Sequence, residues 1–484
     1  MNTPIRRLSV VVMAMFAALL IASTMIQFVQ AKTYDAKPGN RRTLLKSYAK
    51  ERGSILVDGT AVAVSKPTDD DLKWLRTYPQ GPQYAAVTGY FSFTYGTSGV
   101  ERGYNDLLSG SSDKLFYRQL PDILTGKEPQ GASVDLTIKA KVQAAARKAL
   151  GNQRGAVVAM DPKTGAILAM VTSPTYDPNL LSSHDLNAVQ TNWKNLTTAS
   201  SQPMVNRTIS GNLYPPGSTF KLVTAAAALQ SGDYNPDSEL DGPAALKLPG
   251  VTKPLPNVTG QACGPNDKTT LTHALEISCN TAFADLGMKL GQDAVRQQAS
   301  KFGFGQQFTV PMSVTPSTFP ANLQQAQLAQ SAIGQFDVRV TPLQVAMISS
   351  AIANDGKVMR PYLVQTVRDK NLDVIQSTDP SVVSEAVSSQ TAGQLRDMMV
   401  KVVSNGTGVR AQIPGMDVAG KTGTAETAPG VNADVWFTGF APANNPKVAV
   451  AVVVEDGGTA GQEASGGSVA APIARAVMEA VVNQ

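Results

Sequence analysis

At 484 residues, with 43% hydrophobic and 16% charged residues, the chain reads as a globular protein of two or three domains, which excludes disorder. A formal net charge of +5 is small for this length, so no nucleic acid is expected as a partner. The two histidines, His184 and His273, and the two cysteines, Cys263 and Cys279, form no HExxH or CxxC pattern, so neither a metal nor a cofactor is expected.

Residues 1–7 form a short head, and Leu8 to Val29 runs without a charged residue. That run is long enough to cross the roughly 30 Å hydrocarbon layer as a helix. A retained signal-anchor over 8–29 is therefore expected, with 1–7 as a cytoplasmic tail. The alternative is a cleaved signal peptide ending near Val29-Gln30-Ala31, although signal cores usually span only about 7–15 residues. Arg6 and Arg7 precede the run, but Lys32, Lys37, Arg41, Arg42 and Lys46 make the other flank more basic. Taken alone, the positive-inside rule then favours the opposite orientation to an extracytoplasmic body.

From 32 to 145 a separate, mainly β module is expected. Arg52 to Gly59 reads as a strand closing in an Asp58-Gly59 turn, and Tyr78 to Gly110 as short strands and loops. Thr137 to Leu150 has helical spacing. A second, α+β domain spans 150–484. It opens with a hairpin, Gly155–Met160 and Ala166–Val171 around Asp161-Pro162-Lys163-Thr164-Gly165. Strands are predicted again at 434–440 and 448–454, and the segment 467–483 ends the chain in a helix that begins near Pro472. Between them lie the helical runs 222–230, 271–277, 281–290 and 343–354. Strands at both ends of one region predict a single sheet assembled from distant segments.

Three short motifs carry chemistry. Ser218-Thr219-Phe220-Lys221 follows the Tyr214-Pro215-Pro216-Gly217 turn and opens an apolar helix. Ser218 thus sits at the positive end of a helix dipole, with Lys221 one turn on along the same face. With no histidine nearby, a buried amine of depressed pKa is the base expected for that hydroxyl. Ser278-Cys279-Asn280 lies between two helical runs, where its hydroxyl can relay a proton and its amide can hold a peptide carbonyl. Lys421-Thr422-Gly423-Thr424 starts an edge-strand pattern. There Lys421 supplies positive charge, Thr422 and Thr424 supply hydroxyls for a carboxylate, and Gly423 leaves room for a substrate backbone to pair. A backbone N–H of this strand, with that of Ser218, is suited to an oxyanion hole.

Each motif alone is weak. Ser47-Tyr48-Ala49-Lys50, Ser111-Ser112-Asp113-Lys114, Ser210-Gly211-Asn212 and Lys163-Thr164-Gly165 match the same patterns and read as decoys. The ordered trio, at a helix start, an inter-helix loop and a strand start, is specific. It resembles the motif set of penicillin-binding proteins and serine β-lactamases. Arg154 to Pro178, Asn206-Arg207-Thr208, Gly334-Gln335, Thr341-Pro342-Leu343-Gln344 and Asn354-Asp355-Gly356 extend the likeness to class B penicillin-binding proteins, with Arg52-Gly53-Ser54-Ile55 and Gly99-Val100-Glu101 resembling their pedestal. The pattern most resembles the short actinobacterial penicillin-binding protein A type.

That resemblance implies an α+β penicillin-binding/serine β-lactamase-like fold, an antiparallel sheet flanked by helices plus a helical subdomain, on a mainly β pedestal with one transmembrane helix. It implies a serine D,D-transpeptidase that cross-links peptidoglycan through an acyl-enzyme on Ser218 and is trapped by β-lactams. Lys221 would be the base, Ser278 the proton donor to departing D-alanine, and Asn280 a holder of the donor stem. Lys421, Thr422, Gly423 and Thr424 would bind the terminal carboxylate and line the oxyanion strand. The implied partners are a D-Ala-D-Ala donor, a diamino-acid amine acceptor, a membrane glycosyltransferase and division or elongation proteins. A D,D-carboxypeptidase, and a non-enzymatic β-lactam sensor or scaffold, are the alternatives. Cys279 stands where Asp is common in the superfamily. In an oxidising compartment a Cys263–Cys279 disulfide is plausible, worth on the order of 3 kcal/mol in the chain-entropy account. His273 is expected to be structural or exposed, and Trp436 and Phe440 to be core.

Overall fold

In the computed structural model of the chain, residues 3–30, 33–34, 48, 50–115, 118, 130–211, 213–426 and 430–483 are described. Ala31 of the alternative cleavage site, the connector cations Lys32, Lys37, Arg41, Arg42 and Lys46, Ser47 and Ala49 of the first decoy, and Asn212 of another lie outside the described residues.

The apolar run forms the helix Thr3–Thr24, continued by one wider turn over Met25–Val29. None of its residues is buried, and its mean hydropathy of 2.4 together with its length suffices to cross a membrane.

Asp58 and Gly59 both take positive φ, 46° and 76°, which matches the right-handed twist of two strands joined by a two-residue turn. They join Ile55–Val57 to Thr60–Pro67. The resulting sheet has six strands, and two of them come from far along the chain. Its order is Val374–Ser377, Val364–Arg368, Ser133–Leu136, Ile55–Val57, Thr60–Pro67, Trp74–Thr77. The pedestal sheet is thus completed by strands that follow the catalytic helices in sequence. Tyr78 to Gly110 departs from the expected strands and loops. It holds the helices Gly81–Thr88, Gly99–Gly103 and Asn105–Leu108, with one hairpin of Phe91–Ser92 and Gly96–Thr97. Helices this short carry too little periodicity to read and are marginal alone. Burial of Tyr84, Val87, Val100 and Leu108 in the pedestal core holds them.

Glu101 ties the pedestal together. Its carboxylate accepts from Arg52 Nε and Arg76 Nε, both at 2.6 Å, and from the Tyr78 hydroxyl at 3.2 Å. Burial pushes its carboxyl upward, but the Arg76 and Arg52 guanidinium groups outweigh burial and hold it below the usual value. This stability is present above the unfolded carboxyl pKa of about 4.3 and is lost as pH falls through the folded one. Glu101→Gln leaves two buried guanidinium groups without a counter-charge. We expect it to cost about 3–5 kcal/mol in urea denaturation at pH 7, with the difference from wild type narrowing on acidification.

The region from 150 onward is built on a five-stranded antiparallel sheet in the order Ala419–Ala425, Asp434–Ala441, Val448–Val454, Gly155–Met160, Ile167–Ser173. Two ends of the 150–484 region thus meet in one sheet, as the strand pattern predicts. Val450 and Val452 face a cluster with Val142 and Ala146 of helix Ala140–Leu150 and Ile473 and Val477 of helix Ala471–Val482. Ala451 and Val453 face the opposite cluster with the helices Pro342–Ala353 and Lys221–Ser231. Being covered on both faces explains the near-continuous apolar strands. Trp436 and Phe440 are fully buried, as expected of core residues. Ala419–Ala425 pairs on one side only, so its other edge is open.

Candidate active site

Ser218 lies in the short 3-10 turn Gly217–Phe220 that leads directly into helix Lys221–Ser231. The turn is seated from both sides. Gly217 N–H donates to Gly334 O at 2.9 Å, and a Cβ on Gly217, whose φ is +52°, would lie 2.6 Å from Thr424 O. Only glycine allows this approach of the Ser218 turn to the edge strand.

The predicted trio converges. Lys221 Nζ donates to Ser278 O at 2.7 Å, Ser278 Oγ at 3.3 Å and Asn280 Oδ1 at 2.7 Å. Lys421 Nζ donates to the same Ser278 Oγ at 2.9 Å and to Thr422 O at 2.9 Å. Two amines therefore flank one hydroxyl, and both are fully buried. Burial, and secondarily the charge of Lys421, push the Lys221 amine well below its ordinary value. Burial alone pushes Lys421 down to about 7. Two cations around one oxygen in a desolvated site disfavour each other, so the pair holds a neutral amine near neutrality. Lys221 spends its donors on the Ser278 loop in this state rather than on Ser218 Oγ. Such contacts commonly tighten only in the substrate complex.

Ser278 has φ +62°, a left-handed conformation that costs a non-glycine residue about 1–3 kcal/mol. The Lys221 bond to its carbonyl oxygen helps hold it there. Next to it, Cys279 is disulfide-bonded to Cys263, and Cys279 precedes helix Asn280–Leu290 as its cap.

The edge strand departs from expectation at Gly423. A Cβ there would meet Pro216 O, Thr219 Cγ2 and Trp436 Cβ, each at 3.0 Å. Gly423 therefore lets the strand pack under the Ser218 turn, and its missing side chain faces protein rather than a substrate backbone. Its register partner is Trp436, in the neighbouring strand. The open edge belongs to the alternate residues. Thr424 O accepts from Gln335 Nε2 at 3.5 Å, outside the sheet. Because a residue's N–H and C=O point to the same side of a strand, the Thr424 N–H also faces that edge.

Two residues escaped the motif reading. Asn257, buried after the Leu255–Pro256 strand, accepts on Oδ1 from the Asn280 and Thr281 N–H groups, both at 3.0 Å. Its amide nitrogen donates to Pro243 O and Gln261 O, both at 2.9 Å. It caps the helix that follows Ser278-Cys279-Asn280 from a distant loop. Thr407 Oγ1 lies 2.6 Å from Thr422 Oγ1. Only turn chemistry marks either residue locally, so neither had a readable signal. Two of the decoys are engaged elsewhere. Gly165 closes the predicted hairpin turn with φ +83°, and Lys114 Nζ donates to Gln376. His273 is half-exposed and paired with Glu276 at 3.1 Å, not with Ser218.

The family described as penicillin binding protein transpeptidase domain matches residues 155–479, and the penicillin binding protein A dimerisation domain matches residues 52–134. The peptidoglycan D,D-transpeptidase PbpA of Mycolicibacterium smegmatis is 44% identical over 493 residues, covering 100% of both chains. The ceftriaxone acyl-enzyme complex of penicillin-binding protein A from M. tuberculosis superimposes with TM-score 0.87 at 42% identity, covering 90% of this chain and 100% of that one. The penicillin G acyl-enzyme complex of the same relative gives TM-score 0.85 over the same coverage.

Proposed function

This chain belongs to the penicillin-binding protein transpeptidase family, and from that membership we infer the part each site residue plays. The protein is a serine D,D-transpeptidase of peptidoglycan and binds β-lactams covalently. Ser218 is the acylated residue. Lys221, its amine kept largely neutral by burial, takes the Ser218 proton as Oγ attacks the carbonyl of a D-Ala-D-Ala donor. The peptide bond breaks, and the proton passes through Ser278 Oγ, which both amines touch, to the departing D-alanine nitrogen. The side-chain amine of a neighbouring stem then attacks the ester and returns a proton along the same path. The N–H groups of Ser218 and Thr424 stabilise the oxyanion. Asn280 holds the donor stem, and Lys421, Thr422 and Thr424 attract its carboxylate.

The observation that carries this reading is the convergence of Lys221 and Lys421 on Ser278 Oγ, which gives a serine-type site a base without histidine. The N-terminal helix is read as a single-pass anchor, with the catalytic region outside the membrane and the pedestal as its support. A membrane glycosyltransferase and division or elongation proteins are the partners this arrangement fits.

Depletion of the protein in its host should lower the share of cross-linked muropeptide dimers, restored by wild type and not by Ser218→Ala. Unchanged dimers alongside a stable penicillin adduct would indicate a sensor. Release of D-alanine from a soluble pentapeptide without any acceptor would indicate a carboxypeptidase.

A further inference from the structure

We propose that Thr407 is a positioning residue for the substrate carboxylate, acting through Thr422. The proposal rests on the reading of Ser218 as the acylated residue.

Thr422 is buried on the edge strand, while Thr407 is exposed on the turn that follows helix Ser389–Ser404. Their hydroxyl oxygens are 2.6 Å apart. Each hydroxyl has one proton, so only one of the two can serve as donor between them. If Thr422 spent its proton on Thr407, it could only accept, and a carboxylate offers nothing but acceptors. When Thr407 donates to Thr422 Oγ1, the Thr422 proton is released for an anion, and a hydrogen bond to a carboxylate is charge-assisted. Lys421, whose amine already donates to Ser278 Oγ and Thr422 O, contributes charge to the carboxylate site rather than this hydrogen bond.

The Thr407 turn is also fixed to the rest of the site. Thr407 N–H donates to Glu276 O at 3.3 Å, two residues before Ser278, and Gly408 N–H donates to Val402 O at 2.9 Å. A Cβ on Gly406 would fall 2.4 Å from Glu276 O, so the turn rests against the helix that delivers Ser278. Thr407 therefore links the Ser278 loop to the carboxylate-binding strand.

The test is acylation kinetics of the detergent-solubilised full-length chain, followed by intact-protein mass spectrometry. The probes are penicillin G and its methyl ester, which lacks the anionic carboxylate. Thr407→Val should raise the apparent dissociation constant for penicillin G about tenfold while the limiting acylation rate stays within about twofold. Thr407→Ser should restore the wild-type constant, and the ester should show no dependence on residue 407. An unchanged constant in Thr407→Val, an equal loss with the ester, or no recovery in Thr407→Ser would overturn the proposal. Failure of the wild-type chain to acquire penicillin on Ser218 would instead remove the functional reading beneath it.

Discussion

Ser218→Ala should yield a folded protein that gains no mass from penicillin G. The wild-type chain, treated in parallel, should gain one adduct that peptide mapping places on Ser218. The substitution deletes one oxygen from a turn whose shape is set by the backbone, through the Gly217 bond to Gly334 and the close approach of Thr424 O. Its effect on stability should stay below about 1 kcal/mol. Chemistry, by contrast, has no substitute oxygen. Ser278, the other hydroxyl within reach of the amines, is held in a left-handed conformation and engaged by both lysines. Persistence of a penicillin adduct in Ser218→Ala would place the nucleophile elsewhere and end this account of the site.

Lys221→Met should lower the acylation rate constant by about 10²–10⁴, the usual contribution of a positioned general base. Methionine has similar length and no proton to exchange, so the helix start keeps its packing while the base is lost. The pH profile gives an independent reading. With Lys221 as the base, acylation needs its neutral amine, and burial together with the Lys421 charge holds that amine well below its ordinary value. The wild-type rate constant should therefore reach its plateau well below the ordinary lysine range and fall on acidification, as the amines take up protons. Lys421 itself titrates at about 7. In Lys421→Met the neighbouring charge is gone, so the Lys221 pKa rises and the acid limb moves to higher pH. A limb that stays in place, or moves to lower pH, would show that the two amines are not coupled through Ser278. The same shifts act on stability. In the range from the folded values up to about 10.4 the unfolded chain holds protons that the folded site does not, so stability rises with pH there. The site is thus kept reactive against the preference of the fold.

Motifs with local causes were legible. Asp58-Gly59 turns a hairpin because both residues accept positive φ, and the Asp161 to Gly165 turn does the same between the two strands that open the catalytic sheet. The apolar strands 434–441 and 448–454 and the helix at 221–231 follow from residue type and period alone. So does the pairing of a serine with a lysine one turn later at a helix start. The short helices between Tyr78 and Gly110 were not legible, because burial of Tyr84, Val100 and Leu108 decides them and propensity does not. The pedestal strands at 364–368 and 374–377 were equally hidden, since their partner Ser133–Leu136 lies far away in the chain.

By itself, then, the sequence singled out the candidate residues Ser218, Lys221, Ser278, Asn280 and Lys421, each beside the turn, loop or strand signal that frames it. Only the tertiary structure decided how those residues act on one another. It brought two lysine amines to one hydroxyl, turned the Gly423 face against Pro216, and placed Asn257 and Thr407 behind the motifs. The division has a physical cause. Turn preference and helical period act over a few neighbouring residues, whereas desolvation of an amine and the direction of a hydroxyl proton depend on whatever distant segments pack against them.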